Sequence, residues 1–90
     1  MSTYWIFANK SKKVYMEPND VVPGTARALQ VIGEPEVTSL LTWALMGPWR
    51  GDHVVALADS GATSREYEEV GSEWRNVTAQ LNSMRASEAP

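Results

Sequence analysis

The sequence contains no cysteine among its 90 residues and only one histidine. The absence of cysteine excludes disulfides, thiolate zinc sites and cysteine nucleophiles, and nothing in the chain demands an oxidising compartment. Basic residues are also few, because 8 Lys and Arg stand against 11 Asp and Glu, which gives a formal net charge of −3. Nucleic-acid-binding surfaces are basic, so this composition disfavours nucleic acid as a partner.

Long apolar runs are absent as well. Threonine, serine, glycine and proline interrupt the longest apolar stretch, residues 37–49, whereas a membrane-spanning helix needs about 20 apolar residues. The N-terminus also lacks the basic and apolar regions of a signal peptide. We therefore expect a cytoplasmic protein that has no membrane partner.

Aromatic residues, in contrast, are plentiful, with four tryptophans, three tyrosines and one phenylalanine. Aromatic and β-branched residues at Thr3–Asn9 and Lys13–Met16 predict two strands. The polar stretch NKSKK lies between them and is typical of a turn. The two strands are therefore expected to form a hairpin.

Two helices are predicted to follow. Thr25 stands where its hydroxyl can cap the short segment ARALQVI, which Gly33 ends. Pro35 suits the first turn of a second helix, and apolar residues at positions 37, 40, 41, 44 and 45 have the spacing of one helix face. The dipeptide Gly47-Pro48 ends that helix.

The next segments indicate a second hairpin. The stretch DHVVALAD, residues 52–59, predicts a strand, SGATS predicts a turn, and REYEEV, residues 65–70, predicts a more polar strand. Charge on a strand discourages unwanted pairing, so REYEEV suits the edge of a sheet.

The C-terminal segment permits two interpretations. EWRNV could extend a strand, or NVTAQLNSMR could form a helix capped by Asn76 or Thr78, and we favour a short helix from about Val77. Residues 1–85 then form a single α+β domain, and residues 86–90 form a disordered tail.

The predicted order ββααββα is typical of a four-stranded antiparallel sheet with helices packed on one face. The strands do not alternate apolar with polar, since Trp5 and Phe7 lie on one face of the first strand while Tyr4 and Ile6 lie on the other. A half-exposed antiparallel sheet normally alternates, so both faces should be covered. The C-terminal segment or a second subunit could cover the second face, and we expect a homodimer.

A candidate site lies at the entrance to the third strand. His53 is the only histidine, but the neighbouring Asp52 would point to the opposite face of a strand. No motif marks a nucleophile or a metal-binding loop, so we predict no enzyme activity, no catalytic residue, no metal and no cofactor. The structural interpretation is a reversal from helix to strand, in which Trp49 seals the joint and Asp52 accepts backbone amide bonds.

Binding is the alternative use of these residues. Trp43 and Met46 lie off the apolar face of the second helix, so they either widen its core-facing arc or contact a partner. The small, hydroxyl-rich stretch DSGATS could hold an anion, with Arg50 or Arg65 as the counter-charge, although it lacks the lysine and the spacing of a P-loop. The candidate binding residues are Trp43, Met46, Trp49, Arg50, Asp52, His53 and Arg65.

Three segments carry a family resemblance: YWIFANKSKKVYMEP, PWRGDHVVALAD and EYEEVGSEWRNVT. With them the chain resembles a family of small bacterial and phage proteins that have N-x-x-K-x-x-Y, W-x-G-D-x-V and late Y…W-x-N-V-T segments. The resemblance implies a phage or mobile-element origin, and it transfers no particular activity to this chain. The matching positions are Asn9, Lys12 or Lys13, Tyr15, Trp49, Gly51, Asp52, Val54, Asp59, Tyr67, Val70, Trp74, Val77 and Thr78.

Two functions follow as hypotheses. The first is a non-enzymatic protein that binds another protein, for example a phage-encoded inhibitor of a host defence system. The second is a protein that binds or sequesters a small nucleotide-like ligand in a pocket between subunits, where an aromatic ring stacks on the base and an arginine meets the phosphate.

Overall fold

The computed structural model describes residues 3–24 and 27–88. The fold class is α+β, as predicted. A short 3-10 turn at Gly61–Thr63 precedes the fourth helix. In chain order the strands and helices are β1 (Trp5–Asn9), β2 (Val14–Met16), α1 (Pro18–Val21), α2 (Ala28–Gly33), α3 (Pro35–Met46), β3 (Val54–Ala58), α4 (Ser64–Glu73), β4 (Arg75–Asn76) and α5 (Thr78–Glu88).

The four-stranded sheet has the order β3-β1-β2-β4. β1 runs antiparallel to both β2 and β3, which confirms the first hairpin, but β4 runs parallel to β2. The sheet is therefore mixed, and the prediction of a purely antiparallel sheet is wrong. The cause is α4, because a helix that crosses the sheet brings the next strand back in the same direction, whereas a hairpin turn would reverse it.

The prediction of a strand at residues 65–70 is wrong for a reason visible in the sequence. The segment belongs to α4, where Val70 is buried and Tyr67 and Trp74 are half-buried against the same cluster of residues. Their spacing of three and four residues matches one face of a helix. SGATS is correspondingly the 3-10 entry to this helix and not the turn of a hairpin.

Three of the other helices lie close to their predicted positions, whereas α1 falls in a proline-containing segment for which the sequence predicts a loop. α3 has the predicted bounds, and α5 begins beside Asn76, whose side-chain oxygen accepts the backbone N–H of Thr78 at 3.0 Å. α5 continues to Glu88, beyond the predicted domain end at residue 85. α2 begins at Ala28, and the predicted cap Thr25 lies outside the described residues.

Helices cover both faces of the sheet, so the prediction that they pack on one face is wrong. One face packs against α3 and α5, and its cluster contains Val14, Met16, Val31, Val37, Leu40, Ala44, Trp49, Val77 and Leu81. On the other face, α4 covers a smaller cluster built from Ile6, Ala8, Leu57 and Val70. Both faces therefore carry a helical layer, as expected, although Trp5 and Phe7 are only half-buried and Ala56 is exposed.

Among the described residues, no helix combines the length and the apolar character needed to cross a membrane.

Candidate functional site

The connection between α3 and β3 holds most of the predicted site residues. Trp49 is only 2% exposed, and its backbone N–H donates to the carbonyl of Ala44 at 2.7 Å. Gly51 has a φ of +79°, a left-handed conformation that glycine adopts without a Cβ clash. Trp49 therefore packs in the larger core and closes the joint between helix and strand, as the sequence predicts.

Asp52 belongs to a polar cluster with Asn9 and Lys12. One carboxylate oxygen, Oδ2, accepts hydrogen bonds from Asn9 Nδ2 at 2.8 Å and from Lys12 Nζ. Asn9 is fully buried, and its Oδ1 accepts the backbone N–H of Lys12 at 3.0 Å. The prediction that Asp52 accepts backbone amide bonds is thus wrong, because its described bonds come from side chains.

The cluster also determines what Asp52 can do chemically. The hydrogen bonds from Lys12 and then Asn9 lower the pKa of Asp52 below its ordinary value. A carboxylate held in its ionised form is a poor proton donor near neutral pH. We therefore assign the cluster a structural role, in which it ties the β1–β2 turn to the start of β3.

His53 is exposed at the start of β3. Its backbone N–H donates to Ser11 Oγ at 2.9 Å, and its carbonyl accepts the backbone N–H of Lys10 at 2.8 Å. Along the stretches 3–24 and 27–88, no group of three metal-ligating side chains occurs. Both contacts are made by the backbone of His53, so they hold the strand end in place and do not involve the imidazole ring.

The loop after β3 is held against the sheet by its own side chains. Thr63 Oγ1 accepts the backbone N–H of Ala58 at 2.8 Å and lies 3.1 Å from the carbonyl oxygen of the same residue. Asp59 Oδ1 accepts the backbone N–H of Tyr4 at 3.1 Å. Arg50 precedes β3 in the sequence and Arg65 follows it. Both side chains are exposed, and neither takes part in a described ion pair.

Trp43 and Met46 differ in role: Trp43 faces the core, and Met46 is free to contact a partner. Trp43 is half-buried beside the larger core, and its indole N–H donates to Glu88 Oε2 at 3.0 Å. Met46 is 72% exposed. Together with three hydroxyl residues they line a depression on α3. Trp43 therefore links α3 to α5, and Met46 alone is a candidate for contact with a partner.

A feature that the sequence did not predict is an apolar groove of about 200 Å³. It lies between the sheet and α2, and Ile32 on its rim is 73% exposed. Along the described chain, Trp5 Nε1 is the buried side-chain nitrogen that has no hydrogen-bond partner. The described residues that line this groove are all apolar: Trp5, Phe7, Val31, Ile32 and Ala56.

The groove lies beside the open edge of β3. The hydrogen bonds Asp59 N–H to Tyr4 and Lys10 N–H to His53 flank the β1–β3 pairing. Since bonded pairs alternate along an antiparallel ladder, Val54, Ala56 and Ala58 direct their backbone groups away from β1. The backbone N–H and carbonyl of Ala58 are already hydrogen-bonded to the hydroxyl of Thr63. The outward backbone groups of Val54 and Ala56 have no hydrogen-bond partner within residues 3–24 and 27–88, and they form an open edge.

Comparison of this chain with models of protein families, with curated proteins and with solved structures gives no match. The assignment of function accordingly depends on the geometry of the groove, the strand edge and the polar clusters.

Proposed function

We propose that this chain is a non-enzymatic protein-binding module, and that its contact surface is the apolar groove together with the open edge of β3. The observation that carries the proposal is the position of the groove, because five apolar side chains lie directly beside unpaired backbone groups. Proteins that bind an extended segment use these two features together. The strand edge supplies main-chain hydrogen bonds, and adjoining pockets accept alternate side chains.

The size and chemistry of the groove favour a protein partner over a small ligand. Its volume of about 200 Å³ is below the roughly 300–1,000 Å³ that is typical of sites for small organic ligands. Among the residues that the structure describes, its lining contains no charged side chain that would meet a phosphate. Aromatic side chains such as Trp5 and Phe7 are enriched in protein interfaces.

The polar residues support a non-enzymatic role. Asp52 is engaged by Asn9 and Lys12, and the backbone of His53 is tied to Ser11. A catalytic set needs a nucleophile within hydrogen-bond reach of a base, and these contacts supply no such pair. The Asp52 side chain and the His53 backbone are thus accounted for as parts of the joint that leads into β3.

The test is affinity capture with three variants that each introduce one lysine. Ile32→Lys places a charge on the rim of the groove. Met46→Lys places a charge on α3 at a residue that is as exposed as Ile32, and it is the matched control. Ala86→Lys places a charge on the exposed side of α5. We expect a protein that wild type and Ala86→Lys retain from cell lysate to be lost with Ile32→Lys. Loss with Met46→Lys instead, or equal capture by all variants, would contradict the proposed surface.

A nucleotide-like ligand is the competing outcome, and it has its own measurement. Arg50 and Arg65 are the arginines that flank β3. A thermal shift produced by a nucleotide, and abolished by Arg50→Ala or Arg65→Ala, would favour ligand binding over protein binding. We expect no shift across a panel of common nucleotides and cyclic dinucleotides.

The particular instance that we propose is a phage-encoded inhibitor of a host defence protein. Small size, a net charge of −3 and a high aromatic content support it, together with the resemblance carried by Asn9, Trp49 and Asp52. Expression of the chain should restore plaques to a phage that the defence system restricts. Ile32→Lys should abolish this effect while Ala86→Lys retains it, and equal plaque numbers with and without the chain would contradict the proposal.

A further inference from the structure

We infer that the partner on this surface is a second copy of the chain, with the β3 strands of the two copies paired antiparallel across a two-fold axis at Val55. This inference rests on the proposed function, because it names the occupant of the same groove and edge. It joins two four-stranded sheets into one continuous sheet.

The two edges of the sheet differ in how well they are protected. β4 consists of two exposed polar residues, Arg75 and Asn76. β3 is five residues long with the sequence VVALA, and it contains no charge and no proline. Sheet edges are normally protected by short strands, charge or proline, because an open edge is a template for another strand. The edge formed by β3 lacks these devices.

The free backbone groups determine one register. Antiparallel pairing about Val55 places Val54 opposite Ala56 of the partner copy, and Ala56 opposite Val54 of the partner copy. Every free outward group of the edge then gains a partner. A register centred on Ala56 would require the backbone groups of Ala58, which already bond to Thr63.

The same register extends the groove. Val54 and Ala56 lie on the face of the sheet that carries Phe7, since Phe7 pairs with Ala56 and side chains alternate along a strand. The partner copy therefore sets its Val54 beside Ala56, at the open side of the groove. Ile32, which is 73% exposed on the rim, then faces an apolar surface in place of water.

Charge at the ends of β3 favours a second copy in this orientation. An antiparallel pair brings the N-terminal flank of one strand, with exposed Arg50, against the C-terminal flank of the other, with Asp59. The two contacts are related by the two-fold axis, so each copy supplies one arginine and one aspartate. Asp52, on the same flank as Arg50, is already neutralised by Lys12. A two-fold interface requires this kind of self-complementary surface.

The first measurement is the mass of the full chain by sedimentation across a wide concentration range. We expect a dimer of twice the 10.0 kDa chain mass. Ala56→Pro removes the outward N–H at an edge position, where proline is tolerated in the folded subunit. We expect Ala56→Pro and Ile32→Lys each to weaken dimerisation by about tenfold or more, and Ala86→Lys to leave it unchanged. Circular dichroism checks that each variant remains folded.

A cross-link tests the register directly, and it does not depend on a disruptive variant. The chain has no cysteine, so Val55→Cys introduces a single thiol. Opposed residues in a non-hydrogen-bonded antiparallel pair have Cα atoms about 4.5 Å apart, within the range that a disulfide spans. We expect Val55→Cys to form a disulfide-linked dimer on mild oxidation, and Ala62→Cys, exposed beyond the strand, to remain a monomer in denaturing gels.

The results separate this inference from the proposed function. A wild-type chain that stays at 10.0 kDa at all concentrations, or a dimer that only Met46→Lys dissociates, would overturn the self-pairing. If such a monomer still loses its captured protein with Ile32→Lys, the binding function stands and the occupant is an extended segment of another protein. A wild-type chain that stays a monomer and captures the same proteins in all variants would overturn both the self-pairing and the binding function.

Discussion

Asn9 illustrates how one buried polar side chain can organise distant parts of the chain. It is fully buried, and it both donates to Asp52 and accepts from the backbone of Lys12. A buried polar group without partners is costly, so its two hydrogen bonds specify how the β1–β2 turn meets the start of β3. Asn9 and Asp52 are 43 positions apart in the sequence.

Replacement of this side chain should destabilise the fold. We expect Asn9→Ala to lower the free energy of unfolding by about 1–3 kcal/mol, because Asp52 loses a donor and the Lys12 N–H loses its acceptor. Urea unfolding monitored by circular dichroism measures this change. Lys12→Met is the control, since Lys12 is half-exposed and its loss should have a smaller effect. A larger loss in the control would contradict the assigned role of Asn9.

Two carboxyl groups should give stability opposite dependences on pH. The pKa of Asp52 is lowered by Lys12 and Asn9, so its stabilising contribution is complete above the pKa of an unfolded aspartate and is lost as pH falls through the lowered value. Burial, and then the nearby Asp20, raise the pKa of Glu17. Its contribution is therefore present below the unfolded glutamate pKa and is lost as pH rises through the raised value.

Unfolding measured from neutral pH into acid checks both signs. Asp52→Asn should lower stability at neutral pH and reduce its decline in acid. Glu17→Gln should raise stability at neutral pH, and this gain should shrink in acid. The same pH profile in wild type and both variants would show that neither carboxyl is perturbed as described.

At the scale of elements, α4 decides the topology. Tyr67 and Val70, with Trp74 at the C-cap, form an apolar stripe that covers one face of the sheet, while most other residues of the helix are exposed. The sequence contains the spacing of this stripe. A short segment with β-branched and aromatic residues between polar ones also suits an edge strand, and local pattern alone does not separate the two.

Substitution of two glycines by alanine tests the backbone conformation assigned to α4 and to the turn before β3. Neither position has an atom within 4 Å of an added Cβ, so the backbone alone decides the result. Gly71 lies inside α4 without a positive φ, so Gly71→Ala should stabilise the protein by about 0.5–1 kcal/mol. Gly51 has a φ of +79°, and Gly51→Ala should destabilise it by about 1–2 kcal/mol. Thermal unfolding measures both, and destabilisation by Gly71→Ala would argue against a helix at this position.

For the whole molecule, the central feature is a sheet enclosed between two helical layers. β1 contributes to both cores, because Ile6 and Ala8 face α4 while Phe7 packs toward the opposite cluster. Each layer is small, and a chain of about 90 residues buries only about 60–65% of its unfolded surface. The two layers therefore depend on the same strand, and we expect them to unfold together.

Matched core substitutions on the two faces check this expectation. Leu40 is fully buried in the larger cluster and Leu57 is 2% exposed in the smaller one. Leu40→Ala and Leu57→Ala should each destabilise the protein by about 2–5 kcal/mol. Circular dichroism and tryptophan fluorescence should give one coincident transition for each variant. Two separate transitions would show that the layers fold independently.

The sequence by itself determined the elements whose signals are local. The hairpin of β1 and β2, the α3 helix with its Pro35 start, the buried Trp49 joint and the start of α5 follow from turn residues, caps and apolar spacing. The requirement that both faces of the sheet be covered also followed, because apolar residues on both sides of a strand must be removed from water.

Only the tertiary structure decided which element covers each face, the direction of β4, and which side chains meet. The Asn9–Asp52 bond, the groove under Ile32 and the open edge of β3 join segments that are distant along the chain. Such contacts depend on how whole elements pack against one another, and the local sequence around a side chain does not specify that packing. The physical reason is that periodicity reports which face of an element is apolar, and not which partner lies against it.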